Sequence, residues 1–324
     1  MLLDETEILP YRVGALMYTP ALTKGVAEKL KAGAYPGLTS MALCLEDSIA
    51  DDALEAAEAQ LALTLAEIAR ETEADMRPSL FVRIRTPEHM ARIHAMLGAY
   101  AGLLTGYVLP KFDLSNAADY IGVLRQINEG AERPWRIMPT LESGMVADAG
   151  GRVAQLKAIR EALEPVKQWV INIRVGGNDF CNLFGLRRAV HHTIYDVGPV
   201  RDILMDILNV FAREYVVSGP VWEYFGADES GAWAKGLQRE LELDLLNGFV
   251  GKTAIHPTQL PVIVRGLQVS AADYEDALRI LDWNGGGLGV NRGANGRMNE
   301  VKCHARWAKG IVARKIVYGL REDA

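Results

Sequence analysis

The sequence predicts an α/β protein built as a (β/α)8 TIM barrel with a C-terminal helical extension that acts as a lid. Three observations predict it. Eight short apolar runs alternate with stretches of helical composition, the pattern of a parallel sheet covered by helices. Most of these runs are continuously apolar rather than alternating, as strands buried on both faces require. Six polar or glycine-containing runs sit at or after strand ends: LCLED (Leu43–Asp47), VRIR (Val82–Arg85), VLPK (Val108–Lys111), TLES (Thr140–Ser143), RVGGND (Arg174–Asp179) and GKTAIHP (Gly251–Pro257). In a parallel barrel the strand ends at one rim converge on one site.

The strand candidates are Val13–Tyr18, Met41–Leu45, Leu80–Ile84, Gly106–Leu109, Arg136–Thr140, Val170–Val175, Tyr215–Ser218 and Phe249–Ile255. Asp51–Glu71 is rich in Ala, Leu and Glu, strong helix formers. Pro87–Gly98, Ser115–Gln126, Gly151–Leu163, Val200–Glu214 and Ala232–Leu246 mix apolar and polar residues at helical spacing. The barrel is expected over residues 1–260 and the extension over 261–324. In the extension, Ser270–Leu281 opens on an S-x-x-D helix start. The glycine-dense stretch Asn284–Gly296 follows, then a helix over Val301–Tyr318. A flexible loop between two helices reads as a lid or a partner-contacting arm; the alternative is a surface loop without a role.

With 324 residues the chain can hold one large barrel plus an appendage. It is 49% hydrophobic and 23% charged, a globular composition. A net charge of −6 gives no general electrostatic reason to bind nucleic acid or an anionic membrane. Three widely spaced cysteines, Cys44, Cys181 and Cys303, suggest neither a disulfide framework nor a zinc site. The opening MLLDETEILP is acidic and lacks a signal-peptide pattern, and no run nears the roughly 18 apolar residues of a membrane span. A cytoplasmic location is expected.

Glu142 and Asp179 each follow an apolar strand and neighbour small residues, Ser143 and Gly144 for one, Gly176 and Gly177 for the other. Small neighbours let a ligand or ion come close to the backbone. Mg²⁺ is commonly held by one or two carboxylates, with water and substrate oxygens completing the octahedron. The alternative is two surface acids at loop starts. Glu46 and Asp47 follow strand two, where one acid can face the barrel mouth and the other cap a helix. Arg83 and Arg85 alternate onto one face of strand three. An arginine there suits a bidentate grip on a carboxylate, or an ion pair with Glu46 or Asp47. Lys111 reads as an anion ligand, a Schiff-base lysine or a structural pair.

Other motifs fail on spacing. GKT at Gly251–Thr253 lacks the upstream P-loop glycine, since that position is Leu246, and it sits in a strand. The run Gly285–Gly293 has the wrong spacing for a dinucleotide fingerprint and follows a helix. His191–His192 has no metal spacing.

With these runs in this order, the chain resembles the citrate lyase β-subunit-like (HpcH/HpaI aldolase) superfamily, and within it the branch known as C–C bond lyases of the TIM-barrel fold. LCLEDS is similar to that family's LDLEDA, VRIR to VRIN, VLPKFD to VLPKVE, TLES to LIET, VGGNDF to FGAEDL and KTAIHPTQ to KLAIHPAQ. GRMNEVKCH resembles its G-x-M-I-D tail motif. The resemblance implies Glu142 and Asp179 as Mg²⁺ ligands, Arg83 as the carboxylate clamp, and Glu46 and Asp47 at the site's edge. It places Glu300 where the family has a tail aspartate, which in some members serves a neighbouring subunit. It implies a homo-oligomer, trimer or hexamer. The family's P-G-x-N turn is replaced here by Thr19–Leu22, which weakens the case for CoA as the substrate handle.

The resulting expectation is a Mg²⁺-dependent carbon–carbon lyase or aldolase. It would cleave or condense an oxo- or hydroxy-acid through a metal-stabilised enolate. Arg83, Glu46, Asp47 and Glu300 are the expected catalytic groups, and Arg83, Arg85, Lys111 and Gly177 the expected substrate contacts. The partner is a small carboxylate, with or without a CoA or phosphate group, and neither nucleic acid nor membrane. Two alternatives stand beside it: a thioesterase using the same site, and a non-catalytic scaffold that keeps the barrel.

Overall fold

The computed structural model describes residues 3–73, 77–285 and 287–321. They form two compact units. One is Val13–Ile263, and the other combines Met1–Arg12 with Val264–Ala324. The first twelve residues thus cluster with the C-terminal segment rather than with the barrel in which the sequence places them.

The larger unit carries a parallel sheet of β1 (Ala15–Pro20), β2 (Ser40–Cys44), β3 (Ser79–Arg83), β4 (Leu104–Leu109), β5 (Arg136–Leu141), β6 (Arg174–Val175) and β7 (Lys252–Ala254). Their spatial order is β6-β5-β4-β3-β2-β1-β7, so β1 pairs with both β2 and β7. The expected strand Tyr215–Ser218 makes only an isolated bridge, Val217 to Ile173, and Gly219 just after it bridges to Lys252. Those bridges are parallel, and they span the gap between β6 and β7 with hydrogen bonds from Ser218 N–H to Ile173 C=O and from Gly219 N–H to Gly251 C=O, each 2.9 Å. The eighth position of the ring is filled, but by one or two residues rather than a strand.

Burial explains the continuous apolar runs. Every residue of β2 and all but the first of β3 and β5 are buried, with Met41, Phe81, Val82, Ile137 and Met138 fully enclosed. Fully burying one such side chain contributes about 1.5–3 kcal/mol. The helices lie where composition places them, with ends shifted by at most three residues. Pro87–Leu97 starts where Thr86 accepts from His89 N–H, with proline in the first turn. Shorter helices that the sequence reading does not assign include Val26–Lys31 and Gly177–Leu183.

In the smaller unit, helices Ala271–Leu281 and Val301–Tyr318 share a core of Val269, Ala277, Ile280, Ala308, Ile311 and Val312. Ser270 caps the first by accepting from Asp273 N–H. The expectation of a flexible Asn284–Gly296 loop needs correction. Val290–Arg292 (β8) pairs antiparallel with Met298–Glu300 (β9). Buried Asp276 then ties the turn down, accepting from Ala294 N–H at 2.8 Å and from Arg297 Nε at 3.0 Å. Glycine content alone did not reveal these anchors. Gly286 lies outside the described residues.

Candidate active site

The strand ends of the larger unit open on a cavity of about 750 Å³. Its wall includes Tyr18 from β1, Cys44 from β2, Arg83 from β3, Lys111 after β4, Thr140 and Glu142 at the end of β5, Arg174 from β6 and Thr253 from β7. Seven stretches distant in sequence therefore meet at one rim, because parallel strands all point their last residues the same way.

Glu142 and Asp179 converge. Asp179 lies in the first turn of Gly177–Leu183, directly after β6. A Cβ placed on Gly176 would stand 2.2 Å from Glu142 Oε2 and 3.0 Å from Asp179 Oδ2. Both carboxylates therefore lie against Gly176, where any side chain would collide with Glu142. The donors are carboxylate oxygens, the kind a hard divalent cation takes. No group of three or more His, Cys, Asp or Glu gathers as a metal site among the described residues. Two carboxylates suffice for Mg²⁺ when water and substrate supply the remaining oxygens, so the residues present fit that ion.

Burial pushes the Glu142 carboxyl up to about 7, with Arg83 opposing the rise and Asp179 adding to it. A buried acid repelled by a second acid is a site whose charge asks for a cation. Arg83 supplies part of that charge. Its Nη1 lies 2.8 Å from Glu46 Oε2 and its Nη2 lies 3.1 Å from Glu142 Oε1. The arginine thus bridges the acid of β2 to the acid of β5, so the ion-pair expectation holds with Glu46 as the close partner. Asp47 Oδ2 is further off, at 3.7 Å.

Lys111 adds a second bridge. Its Nζ contacts Glu46 Oε1 at 2.6 Å and Asp47 Oδ1 at 3.1 Å, while its backbone N–H donates to Glu142 Oε1 at 3.0 Å. Lys111 is the one non-glycine residue with positive φ among those described, at 47°. That conformation costs energy for a side chain with a Cβ. It turns the amide toward Glu142 while the ammonium faces Glu46 and Asp47. Burial disfavours the Lys111 ammonium, but the two acids hold its pKa above the ordinary lysine range. Burial also lifts the Glu46 carboxyl, against Arg83 and Lys111. Asp47 is half exposed, and hydrogen bonding to Glu46 and Lys111 outweighs its burial and lowers its pKa.

Arg85 is placed differently from Arg83. It follows the last residue of β3, where strict alternation no longer applies. Its guanidinium donates to Leu45 C=O at 2.8 Å and Ile49 C=O at 2.6 Å and pairs with Asp51. It therefore fastens the loop after β2. Gly177 lines the cavity, and a Cβ there would stand 2.7 Å from Pro220 Cβ. Glu300 ends β9 in the smaller unit, with its N–H donating to His304 Nδ1 at 2.9 Å.

Sequence reasoning assigned no role to Tyr18, Thr140, Arg174 or Thr253. Arg174 carried a legible signal, a cation inside the apolar run that leads into RVGGND. It is 1% exposed and donates through Nη2 to Thr253 Oγ1. The Tyr18 ring lies between the two arginines, its centroid 5.4 Å from Arg83 Cζ and 5.9 Å from Arg174 Cζ.

Comparison with known proteins follows the same lines. A family model described as C–C bond lyase of the TIM-barrel fold matches residues 7–320. No curated protein sequence matches. Among solved structures, a citrate lyase from Burkholderia xenovorans LB400 aligns with TM-score 0.71 at 15% identity, over 95% of this chain and 92% of that one. CitE from Mycobacterium tuberculosis, solved with magnesium, acetoacetate and coenzyme A, aligns with TM-score 0.60 at 22% identity, over 94% and 98%. RipC from Yersinia pestis aligns with TM-score 0.56 at 19% identity, over 82% and 99%. At these identities the alignments speak for the fold.

Proposed function

The chain belongs to the C–C bond lyases of the TIM-barrel fold, and from that premise we propose that it is a Mg²⁺-dependent lyase or aldolase acting on an oxo- or hydroxy-acid. The observation that carries the proposal is that the Glu142 and Asp179 carboxylates both lie against Gly176 in the wall of one cavity. When bound there, Mg²⁺ supplies Lewis acidity for neighbouring carbonyl and carboxylate oxygens of the substrate. CitE in its magnesium complex offers a precedent for such an ion in a protein of this fold.

The chain's own residues do the rest. Arg83 holds Glu142 and Glu46 in register, which fixes the rim around the ion site. Asp47 is the proposed proton-moving group, since of the adjacent acids Glu46 and Asp47 it is the one that lines the cavity. In the cleavage direction its carboxylate takes the hydroxyl proton as the carbon–carbon bond breaks, and Lys111 stabilises whichever form carries charge. Condensation runs through the same groups reversed. The wall of Tyr18, Val175 and Val221 limits water around the reacting carbons.

The homo-oligomeric assembly and a role for Glu300 rest on the tail-motif resemblance and are proposed on that ground. Turnover assays test the central reading. The expected outcome is Mg²⁺-dependent release of an oxo-acid from a hydroxy- or oxo-acid substrate. Release of a free thiol from an acyl thioester would replace it with the thioesterase reading. No turnover together with no Mg²⁺ binding by calorimetry would leave a scaffold.

A further inference from the structure

The cavity rim divides into two arcs. In ring order, the first runs over Asp47 after β2, Arg83 on β3, Lys111 after β4 and Glu142 after β5. All four are charged. The second runs over Pro20 at the end of β1, Ile255 after β7, Val221 after the bridging segment and Val175 at the end of β6. All four are apolar. Arg174 and Thr253, on the strands of this second arc, also line the cavity, and they bond to each other. Asn178 and Asn182 join the wall from the helix that carries Asp179, at one of the two places where the arcs meet.

A buried scaffold holds the apolar arc in place. Gln259 is fully buried. Its amide nitrogen donates to Trp222 C=O and Tyr224 C=O, each at 2.9 Å, and its amide oxygen accepts from Ile255 N–H at 2.8 Å and His256 N–H at 3.3 Å. Two donors and two acceptor lone pairs are all that a glutamine side chain has. One side chain therefore fixes the backbone next to Val221 against the backbone of Ile255. Buried Arg188 secures the first of these segments again, donating to Val221 C=O while its Nη1 lies 3.2 Å from buried Glu240 Oε2. A satisfied buried network of this kind is rigid. The side chains it presents are nevertheless open: Ile255 is 39% exposed and Val221 is half-buried. Apolar surface held rigid beside a cavity favours an apolar ligand group, because water leaves it and no protein segment must be ordered. The cavity is also large. At about 750 Å³ it lies in the range that encloses drug-sized ligands, so an oxo-acid head on the charged arc leaves the apolar arc unfilled.

We propose that Val221 and Ile255 determine substrate specificity by receiving an alkyl or aryl substituent, so that the enzyme selects oxo- or hydroxy-acids with an apolar side chain over short unsubstituted ones. The division of the rim into a charged and an apolar arc is the observation that points to it. The proposal deepens the lyase reading and rests on it for the identity of the oxo-acid head.

The test uses two stable probes, pyruvate and 4-methyl-2-oxovalerate. Both are monoanions with the same oxo-acid head, and the second adds an isopropyl group. Affinities are measured by calorimetry for the full chain, with Mg²⁺ and with EDTA. The wild type is expected to bind 4-methyl-2-oxovalerate about 10- to 100-fold more tightly, the range for burying three carbons. Val221→Thr keeps the shape of the wall and adds a hydroxyl, and Ile255→Thr removes apolar surface. Each should reduce the ratio of the two affinities several-fold, and the double variant should bring it near one.

Equal wild-type affinity for the two probes overturns the proposal without recourse to any variant. So does a ratio that survives in the double variant, which would place the side chain elsewhere in the cavity. Equal weakening of both probes with a lowered melting temperature would make Val221 and Ile255 packing residues only, and also overturns it. Failure of the lyase reading looks different: neither probe's affinity then depends on Mg²⁺, whatever the ratio.

Discussion

Gly176→Ala isolates the space at the centre of the site. The backbone at Gly176 has φ −97° and ψ 79°, so a Cβ brings no left-handed strain there. The effect is one of contact alone. The added methyl would stand 2.2 Å from Glu142 Oε2 and 2.4 Å from Glu142 Cβ. The first atom can swing away, but the second is fixed to the end of β5. Ordinary carbon–carbon contact is about 3.5–4 Å, so the backbones at the ends of β5 and β6 must separate locally by about 1 Å. Overpacking of this kind costs about 1–3 kcal/mol. In a unit of this size that lowers the melting temperature by about 2–12 °C. The functional loss should be larger. A displacement near 1 Å at a reacting centre costs about 100-fold in rate, and the Asp179 oxygen at 3.0 Å is crowded at the same time. Calorimetric titration with Mg²⁺, thermal melting and kcat/KM together make the assay. Gly144→Ala is the control, because nothing lies within 4 Å of its added Cβ. If Gly176→Ala bound Mg²⁺ as tightly as the wild type while folded, the carboxylates would not be using that space, and the ion-site argument would fall.

Further expectations concern charge. Glu142 titrates near 7 in the metal-free fold, above its ordinary value of 4.5. Its folded state thus binds more protons than the unfolded chain between those values, so its contribution to stability is complete below pH 4.5 and disappears as pH rises through about 7. Mg²⁺ competes with that proton; affinity should be about tenfold weaker at pH 6 than at pH 8, with proton uptake or release read from buffers of different ionisation enthalpy. A pH-independent affinity would remove Glu142 from the ion site. Arg83→Lys should reduce kcat/KM at least tenfold, because one ammonium cannot hold Glu46 and Glu142 at 2.8 and 3.1 Å together; unchanged kinetics would end its proposed role. Arg85→Ala should lower the melting temperature with Mg²⁺ affinity unaltered, since Leu45, Ile49 and Asp51 are its partners. For Glu300, mixing inactive Glu142→Ala and Glu300→Ala chains should restore activity if the tail residue serves a neighbouring chain; no recovery after confirmed subunit exchange would reject that.

The sequence by itself determined the barrel and most of its rim. Strands buried on both faces must be apolar throughout, and their polar ends must follow, so local order carried Glu46, Arg83, Lys111, Glu142 and Asp179 into view. Family motifs in the right order added what those residues do in related enzymes. What the tertiary structure decided depends on pairs distant in the chain. Arg83 and Arg85 look equivalent at two-residue spacing, but β3 ends between them, and the loop after β2 takes Arg85 away. Tyr215–Ser218 looks like a strand because it is apolar, yet it only bridges its neighbours, for which I-to-I+1 patterning leaves no trace. The Gly-rich Asn284–Gly296 stretch looks free until Asp276, from the preceding helix, is seen to bind its turn. Arg174 shows the limit most plainly. Its cation is visible in the sequence, but its partners come from distant strand ends, and only their assembly brings the Thr253 hydroxyl and the Tyr18 ring to it.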